Sequence, residues 1–330
     1  MRIHILSDNL SGSGKDAILK CEHGLSMLIE TEDTTILCDM GASSLFLHNA
    51  GEMGLDLNKI DFAFISHGHS DHTGGLEDFL NGIPDKKVYV SSATFKEYYY
   101  SGRRGYWRAM STDHSLPNKF PDRFILTGPN EDTNPSYSET GSTAIKKSCR
   151  HNGMWIKPDI AIVYNNCNRW SRPYGNCYLT KISCLKEEFQ PTDYRAQLSP
   201  DIKPEPDNFA HEQALAIYTP NGLVIISSCS HCGAINIMES CKKFTGQEKV
   251  YAFIGGLHFI DSPQVAQEVE TFAKELNEAF YPNNSKKEAS TLPITPRIIT
   301  GHCTSDQAKK LLKEKVTGIE FFYTGAIIQI

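Results

Sequence analysis

The sequence predicts an α+β fold in which two β-sheets pack as a sandwich and helices flank them. Two stretches, from the start to about residue 92 and from Gln213 to the end, alternate short β-rich runs with helix-like segments. Both stretches contain a hairpin near their start, with the turn EDTT in the first and TPNG in the second. Alternation behind such hairpins is typical of sheets that bury one face on each other and carry helices outside.

The elements of the first stretch begin with three β-rich runs, RIHIL, LSMLIET and TTILCDM. A helix is predicted from Ser43 to about Met53. The run DFAFIS is almost continuously apolar, which predicts a strand buried on both faces. In the second stretch, strands are predicted over the apolar runs ALAIY, NGLVIISS, KVYAFIG, PRIIT, IEFFY and AIIQI. Helices are predicted there over about 234–244, 263–280 and 305–316.

The middle of the chain, from about residue 98 to 208, loses this regularity. It is rich in Tyr, Arg, Asn, Pro and Cys, and only DIAIVY and CYLTKIS look like strands. A loop-rich segment of this length is usually functional. We interpret residues 1–330 as a single domain with an irregular insertion or lid at about 98–208.

Composition excludes several classes of protein. The 330 residues are 40% hydrophobic, and the net charge of −6 argues against nucleic acid or anionic membranes as partners. No apolar run approaches the roughly 20 residues of a membrane span. The start, MRIHILSDNL, lacks the pattern of a signal peptide, and ten scattered cysteines suit reduced thiols, so we expect a cytoplasmic protein. The oligomeric state stays open.

The segment SHGHSDHTGG, residues 66–75, contains three histidines and an aspartate within six residues, all of them potential metal ligands. His67 and His69 are two residues apart, which places both imidazoles on one side of an extended segment, where they can share an ion. Asp71 and His72 then point to a second position. Two metals about 3.5–4 Å apart would activate a water between them. The alternative, a solvated polar loop, does not explain so many ligand-type side chains together.

Further histidines follow predicted strands and so fall on one rim of the sandwich. They are His231, His258 and His302, whereas His211 precedes a strand. A rim of side chains on a rigid sheet is how metal sites are usually assembled. Isolated histidines elsewhere are expected to be ordinary core or surface residues, namely His4, His23, His48, His114 and His151. For His23 a second interpretation is open, since Glu22 and His23 could reach the same rim.

The motif HGHSDH followed by TGGL resembles the HxHxDH signature of the metallo-β-lactamase superfamily. The segments ILCDMG, NGLVIISSCSHCGAINIM, FIGGLHF and ITGHCTS resemble the branch named for 7,8-dihydropterin-6-methyl-4-(β-D-ribofuranosyl)aminobenzene 5'-phosphate synthase. The resemblance covers residues 1–95 and about 210–330. It implies a four-layer αββα sandwich with a dinuclear metal site at its rim.

The resemblance also implies roles for single residues. His67 and His69 would bind the first metal, Asp71 and His72 the second, and His302 would be the last ligand. Asp39 would support the loop without binding metal. We prefer His231 as a further ligand. Three other residues stay open as ligands: His211, Glu212 and Cys229, the last of which could instead be a buried strand-end thiol.

These residues predict a metal-dependent hydrolase or transferase that acts on a small molecule containing phosphate, pyrophosphate or an ester. Its cofactors would be two divalent ions, with zinc expected and iron or manganese as alternatives. Asp71 would orient the attacking water, and His258 would contact the substrate or leaving group. The alternatives are a di-iron redox protein, whose members usually carry a carboxylate where His69 stands, and a metal-binding sensor without enzymatic activity.

Departures from the branch weaken any transfer of its pterin substrate. Ser70 stands where the branch commonly has an aromatic residue, and Cys38–Asp39–Met40 replaces the more usual Phe-Asp-Thr. In the insertion, the cluster Arg103, Arg104, Tyr106 and Trp107 could hold a phosphate and stack on a ring. The alternative is a solvated surface.

Overall fold

The structure is a computed structural model that describes residues 1–12, 18–128, 152–165, 167–183, 204–280 and 296–330. Strands β1 to β9 are Arg2–Ser7, Ser26–Glu30, Thr35–Cys38, Phe62–Phe64, Val88–Ser91, Glu97–Ser101, Arg108–Ala109, Phe124–Thr127 and Gly153–Lys157. Strands β10 to β18 are Ile160–Tyr164, Leu179–Ser183, Glu205–Pro206, Gln213–Thr219, Gly222–Ile226, Val250–Ile254, Arg297–Thr300, Glu320–Phe321 and Ile327–Gln329. Helices α1 to α7 are Leu45–Glu52, Ser70–Thr73, Leu76–Gly82, Leu116–Lys119, Ala234–Thr245, Val265–Phe280 and Asp306–Lys315.

Two seven-stranded sheets form the body of the molecule. The first has the order β18-β1-β2-β3-β4-β5-β8, and the second has the order β17-β16-β15-β14-β13-β10-β9. In each sheet, antiparallel hairpin strands give way to parallel strands: β3, β4, β5 and β8 in the first, and β14 to β17 in the second. The parallel strands β4 and β14 are buried along their whole length, as expected for strands covered on both faces.

Three hydrophobic clusters separate four layers. One cluster lies between the sheets and includes Ile5, Phe64 and Ile226. A second joins the second sheet to α5, α6 and α7, and a third joins the first sheet to α1 and α3. Helix α6 shows why a helix packs on the sheet: its buried residues recur at helical spacing, so one side of the helix is apolar. The predicted αββα sandwich is therefore confirmed.

The irregular middle of the chain divides between these layers and a third sheet. Strand β8 extends the first sheet and β9 and β10 extend the second, whereas β12, β11, β6 and β7 form a separate four-stranded sheet. The remaining residues of this stretch, 129–151, 166 and 184–203, lie outside the described part of the chain. The interpretation of the stretch as a lid on one domain stays a prediction.

Two smaller features bear on the sequence predictions. Within the described ranges, no helix has both the length and the apolar character needed to cross a membrane. The eight described cysteines are all free thiols.

Candidate metal centre

Loops that follow parallel strands bring the predicted residues to one rim. Strand β4 leads to His67, β14 to His231, β15 to His258 and β16 to His302. Within a parallel sheet all strand ends of one kind lie at the same edge, which is the usual place for a ligand. Because the two sheets pack face to face, the edge that carries His67 meets the edge that carries the other three histidines.

The first group of ligand atoms comes from His67, His69 and His231. One ring nitrogen of each lies within 4.8 Å of the other two. The three side chains are almost fully buried, and in each the Nε2 atom has no hydrogen-bond partner among the described residues. Because buried polar atoms are nearly always bonded, three converging free nitrogens indicate a missing ligand. We call this group the first triad.

Neighbouring side chains fix two of these rings. The Nδ1 atom of His67 lies 2.8 Å from Ser66 Oγ. The Nδ1 atom of His231 lies 3.1 Å from Asn176 Oδ1, and Asn176 Nδ2 donates to the His231 carbonyl at 2.7 Å. A hydrogen bond on one ring nitrogen directs the other toward the ligand, as in known histidine metal sites.

The second triad consists of Asp71, His72 and His302, whose ligand atoms also lie within 4.8 Å of one another. The Nδ1 atom of His302 lies 3.0 Å from Asn9 Oδ1, while its Nε2 atom faces Asp71 Oδ2 at 3.5 Å. Asp71 Oδ1 is buried and, within the described part of the chain, has no hydrogen-bond partner. The structure thus brings together all six residues predicted as ligands, in two adjoining groups.

Asp39 lies fully buried behind the loop that carries both triads. Its carboxylate accepts hydrogen bonds from Ser66 N and Ser66 Oγ at 2.7 Å each, and its Oδ2 atom lies 2.8 Å from His72 Nδ1. Its φ angle of 57° is in the left-handed region, which few non-glycine residues adopt. Both carboxylate oxygens are used in holding the loop, so Asp39 takes the supporting position that the resemblance implies.

Electrostatics differ between the two triads. Burial lowers the pKa of His67 and of His231 well below the usual histidine value, and it lowers the pKa of His69 as well. These rings are therefore neutral at pH 7 and have a free lone pair. Burial also disfavours a charged His302, but the hydrogen bond and charge of Asp71 outweigh it and raise the pKa of His302 to about 9. Without a cation, the second triad therefore holds an internal ion pair.

The three residues left open as ligands take different positions. His211 uses both ring nitrogens, since Nδ1 accepts from Gly68 N at 2.9 Å and Nε2 lies 3.1 Å from Asp207 Oδ2. Glu212 accepts from the backbone N–H groups of His231 and Cys232, at 2.7 Å each. Cys229 Sγ lies 3.2 Å from His72 Nε2 and near His67, so it faces both triads. A ring nitrogen of His211 also lies within 4.8 Å of ligand atoms of His69 and Asp207.

His258 and His23 border the triads. The His258 ring centroid lies 4.3 Å from that of His231, and its Nδ1 atom is buried without a partner in the described ranges. His23 is exposed, stacks on His302 at 5.3 Å and approaches Asp71 Oδ2 at 3.5 Å. Glu22 does not reach the triads, because its carboxylate accepts from Ser43 Oγ and Ala42 N.

Sequence reasoning missed three supporting residues: Asn9, Asn176 and Asp207. Asp207 Oδ2 lies 3.7 Å from His69 Nε2. Burial raises the pKa of Asp207, but the charge and hydrogen bond of His211 outweigh it and hold the pKa well below the usual value. Asn9 follows the first strand, so the rule of polar residues at strand ends could have found it. Asn176 and Asp207 lie in the irregular stretch, where no periodic signal points to them.

The remaining candidates lie apart from the triads. Arg103 donates to the Asp261 carbonyl at 3.1 Å, and Arg104 and Tyr106 are exposed. Three of the isolated histidines have ordinary positions: His4 contacts Glu30, His48 is exposed and His114 stacks on Tyr98. His151 lies outside the described residues.

Comparison with known proteins places this arrangement in a class. Residues 19–139 match the family model of the metallo-beta-lactamase superfamily. The crystal structure of Tm1679, described as a metal-dependent hydrolase of the β-lactamase superfamily, superimposes with a TM-score of 0.67 over 100% of this chain and 99% of that one, at 24% identity. The described part of the chain therefore has the fold of the metallo-β-lactamase superfamily, and residues 19–139 match the model of that family.

Among individual relatives, the chain is 26% identical to 7,8-dihydropterin-6-methyl-4-(β-D-ribofuranosyl)-aminobenzene-5'-phosphate synthase of Methanocaldococcus jannaschii. That match spans 100% of this chain and 96% of the relative. A shorter match, 36% identical over 70 residues, is to the anaerobic nitric oxide reductase flavorubredoxin of Vibrio vulnificus, and covers 21% of this chain and 14% of that protein.

Proposed function

We propose that this protein is a metal-dependent hydrolase or transferase that acts on a small molecule containing phosphate, pyrophosphate or an ester. The observation that carries the proposal is the pair of adjoining triads, in which five buried ligand atoms have no hydrogen-bond partner among the described residues. They are the Nε2 atoms of His67, His69 and His231, the Oδ1 atom of Asp71, and the Nε2 atom of His302, which faces another ligand atom, Asp71 Oδ2, at 3.5 Å. A merely structural cluster would not leave so many buried polar atoms unsatisfied.

The donor atoms fit two divalent cations. Three neutral imidazoles form the first triad, and two imidazoles and a carboxylate form the second, a set that suits zinc and also accepts iron or manganese. The ions would supply Lewis-acid activation of a water or other nucleophile and neutralise charge on a phosphate group. Cys229 lies between the triads and is a candidate for a shared ligand.

Two side chains, Asp71 and His258, have further roles in the proposed reaction. Asp71 is an ionised carboxylate, since His72, His302 and His23 outweigh the effect of burial and hold its pKa well below the usual value. It can therefore accept a hydrogen bond from an attacking water and fix its orientation. We assign contact with the substrate or leaving group to His258, whose ring lies 4.3 Å from that of His231.

The phosphorylated substrate class is supported by the relative from Methanocaldococcus jannaschii, whose name includes a 5'-phosphate. At 26% identity, and with Ser70 and Met40 differing from the branch pattern, the pterin substrate itself is not carried over. We therefore propose the bond type and leave the heterocycle open.

The test combines metal content with turnover. Freshly purified protein is analysed for zinc, iron and manganese alongside His69→Ala, Asp71→Ala and, as a matched control, His48→Ala, which removes an exposed histidine. We expect two ions per chain in the wild type and the control, and fewer in the other two variants. A panel of phosphodiesters, pyrophosphates and lactones is then assayed for turnover.

Three results would contradict the proposal. Absence of bound metal after reconstitution with all three ions would remove the catalytic centre. Two iron atoms with a visible absorption spectrum and no turnover of the panel would instead favour the di-iron redox alternative. Thermal shifts without turnover would favour a binding protein.

A further inference from the structure

A further set of ligand-type atoms adjoins the two triads and shares with them only Cys229, the candidate for a shared ligand. It consists of Cys229, His258 and Cys303, in which the two sulfur atoms and one imidazole nitrogen lie within 4.8 Å of one another. The three residues come from three different loops, after β14, β15 and β16 respectively. We call this group the thiol cluster.

Backbone geometry holds the thiol cluster in place. Cys303 Sγ lies 3.3 Å from the backbone N–H of His258 and 3.7 Å from the carbonyl of Cys229. His258 has a φ of 53° and His302, just before Cys303, has a φ of 43°. A side chain at Gly256 would place its Cβ 2.3 Å from Cys303 Sγ, so glycine is needed there for the sulfur to approach. Strained backbone of this kind usually accompanies a functional arrangement.

We propose that the thiol cluster is a third cation site, specific for a thiophilic divalent ion such as zinc. Two sulfurs and one imidazole are the donor set that zinc prefers, and a tetrahedral ion with Zn–S bonds of about 2.3 Å needs sulfurs about 3.8 Å apart. The three ligand atoms, all within 4.8 Å of one another, are close enough to converge on one ion. A fourth position stays free for water or substrate.

Charge explains why a third ion can bind so near two others. The first triad is uncharged, and the second contributes only the carboxylate of Asp71, so two inner cations leave the rim positive. Two thiolates would neutralise the outer cation completely, which limits repulsion between the sites. A site with oxygen ligands would need further carboxylates to neutralise the outer cation. Among the described residues, the group of ligand atoms at the thiol cluster contains no carboxylate.

A bound outer ion changes the role of His258. In the proposed function, His258 contacts the leaving group as an imidazole. With the thiol cluster occupied, the free position of the outer ion would lie near that group and could bind a phosphate oxygen directly. Binding of the outer ion requires only the three ligands, so the site can be tested by metal binding without an assay of turnover.

Cadmium gives a direct test, because its bonds to thiolates absorb in the ultraviolet whereas its bonds to imidazole and carboxylate do not. Metal-free, reduced protein is titrated with Cd²⁺, and bound equivalents are counted by equilibrium dialysis. We compare wild type with Cys303→Ser, with His258→Asn, whose asparagine tolerates a positive φ, and with His69→Ala in the first triad. Cys21→Ser, which removes an exposed thiol, is the control.

We expect Cys303→Ser and His258→Asn each to bind one Cd²⁺ fewer than wild type, and the thiolate absorption of Cys303→Ser to fall by about half, as one of two sulfur ligands is lost. His69→Ala should lose an ion from the first triad but keep the full thiolate absorption. Failure of the proposed function can therefore be distinguished from failure of the thiol-cluster proposal. Equal equivalents and absorption in Cys303→Ser and wild type would overturn the proposal. So would a Cys229–Cys303 disulfide that persists under reductant, shown by a mass two hydrogens lower.

Discussion

At the scale of single residues, the candidate centre depends on the partners of its ligands as much as on the ligands. Four of the five ligand rings are bonded on the side away from the site: those of His67, His72, His231 and His302, to Ser66, Asp39, Asn176 and Asn9 respectively. Such bonds fix the tautomer and the ring plane before any ion arrives. Removing a partner should therefore weaken metal binding without touching a ligand.

Asp39→Asn tests this dependence. The amide can accept hydrogen bonds at only one of its two polar atoms, so it cannot satisfy both Ser66 and the His72 ring. We expect metal affinity of the second triad to fall by about 10–100-fold. We expect the free energy of unfolding of the metal-free protein to fall by about 1–3 kcal/mol. Competition with a chelator and urea unfolding measure the two effects.

The control for Asp39→Asn is Asp78→Asn, which makes the same chemical change on the exposed side of α3. It should change neither quantity. If Asp39→Asn loses stability but keeps wild-type metal affinity, then Asp39 is a structural residue and does not position His72.

Asp207 predicts a pH dependence of stability. Its pKa is lower in the folded than in the unfolded protein, where it is near 3.8, so the interaction of its carboxylate with His211 contributes stability above about pH 4 that is lost as the pH falls through the folded pKa. Asp207→Asn should therefore destabilise the metal-free protein by about 1–3 kcal/mol at pH 7, and the difference from wild type should shrink as the pH falls below about 4. Urea unfolding across this range measures the difference, and a difference independent of pH would contradict this role of the ionised carboxylate.

At the scale of elements, the loops after the strands are shaped by close backbone packing. Gly74 and Gly75 have φ angles of −62° and −86°, which any residue can adopt, so a tight turn is not what requires glycine there. The reason for glycine is space. A Cβ at Gly74 would lie 2.1 Å from the carbonyl oxygen of Ala42, and one at Gly75 would lie 2.4 Å from that of Met40. The helix that carries Asp71 and His72 is thus pressed against the loop after β3.

Gly74→Ala should therefore push α2 away from this loop. Because the clash is with backbone, no side-chain rotation relieves it, and we expect a loss of about 2–3 kcal/mol in the free energy of unfolding together with weaker metal binding. The matched control is Gly82→Ala at the end of α3, where a Cβ would meet nothing within 4 Å and stability should change by less than about 1 kcal/mol. Equal stability of the two variants would show that the loop can move aside.

At the scale of the whole molecule, the sequence predicts those features whose signal lies within a short stretch of residues. The dense motif from His67 to His72 and the histidines after β14, β15 and β16 could be predicted, because strand ends are visible as apolar runs. The pairing of His231 with Asn176 could not, since Asn176 lies in a stretch without periodicity and the contact joins residues 55 apart. The sequence leaves open whether His211 is a ligand, and the structure shows that both of its ring nitrogens have hydrogen-bond partners.

The buried triads also make metal binding a property of the entire fold. The ligands come from β4, β14 and β16 in two different sheets, so ions at the triads would cross-link the sandwich and bind the folded state only. At a free ion concentration about 100 times the dissociation constant, one ion adds about 2.7 kcal/mol to stability. We expect removal of metal by a chelator to lower the melting temperature by about 5 °C or more, and added zinc to restore it. His48→Ala should respond like wild type, whereas His69→Ala and Asp71→Ala should respond less. A melting temperature indifferent to chelator and zinc, in protein shown to have lost and regained its ions, would mean that the triads do not link the two sheets.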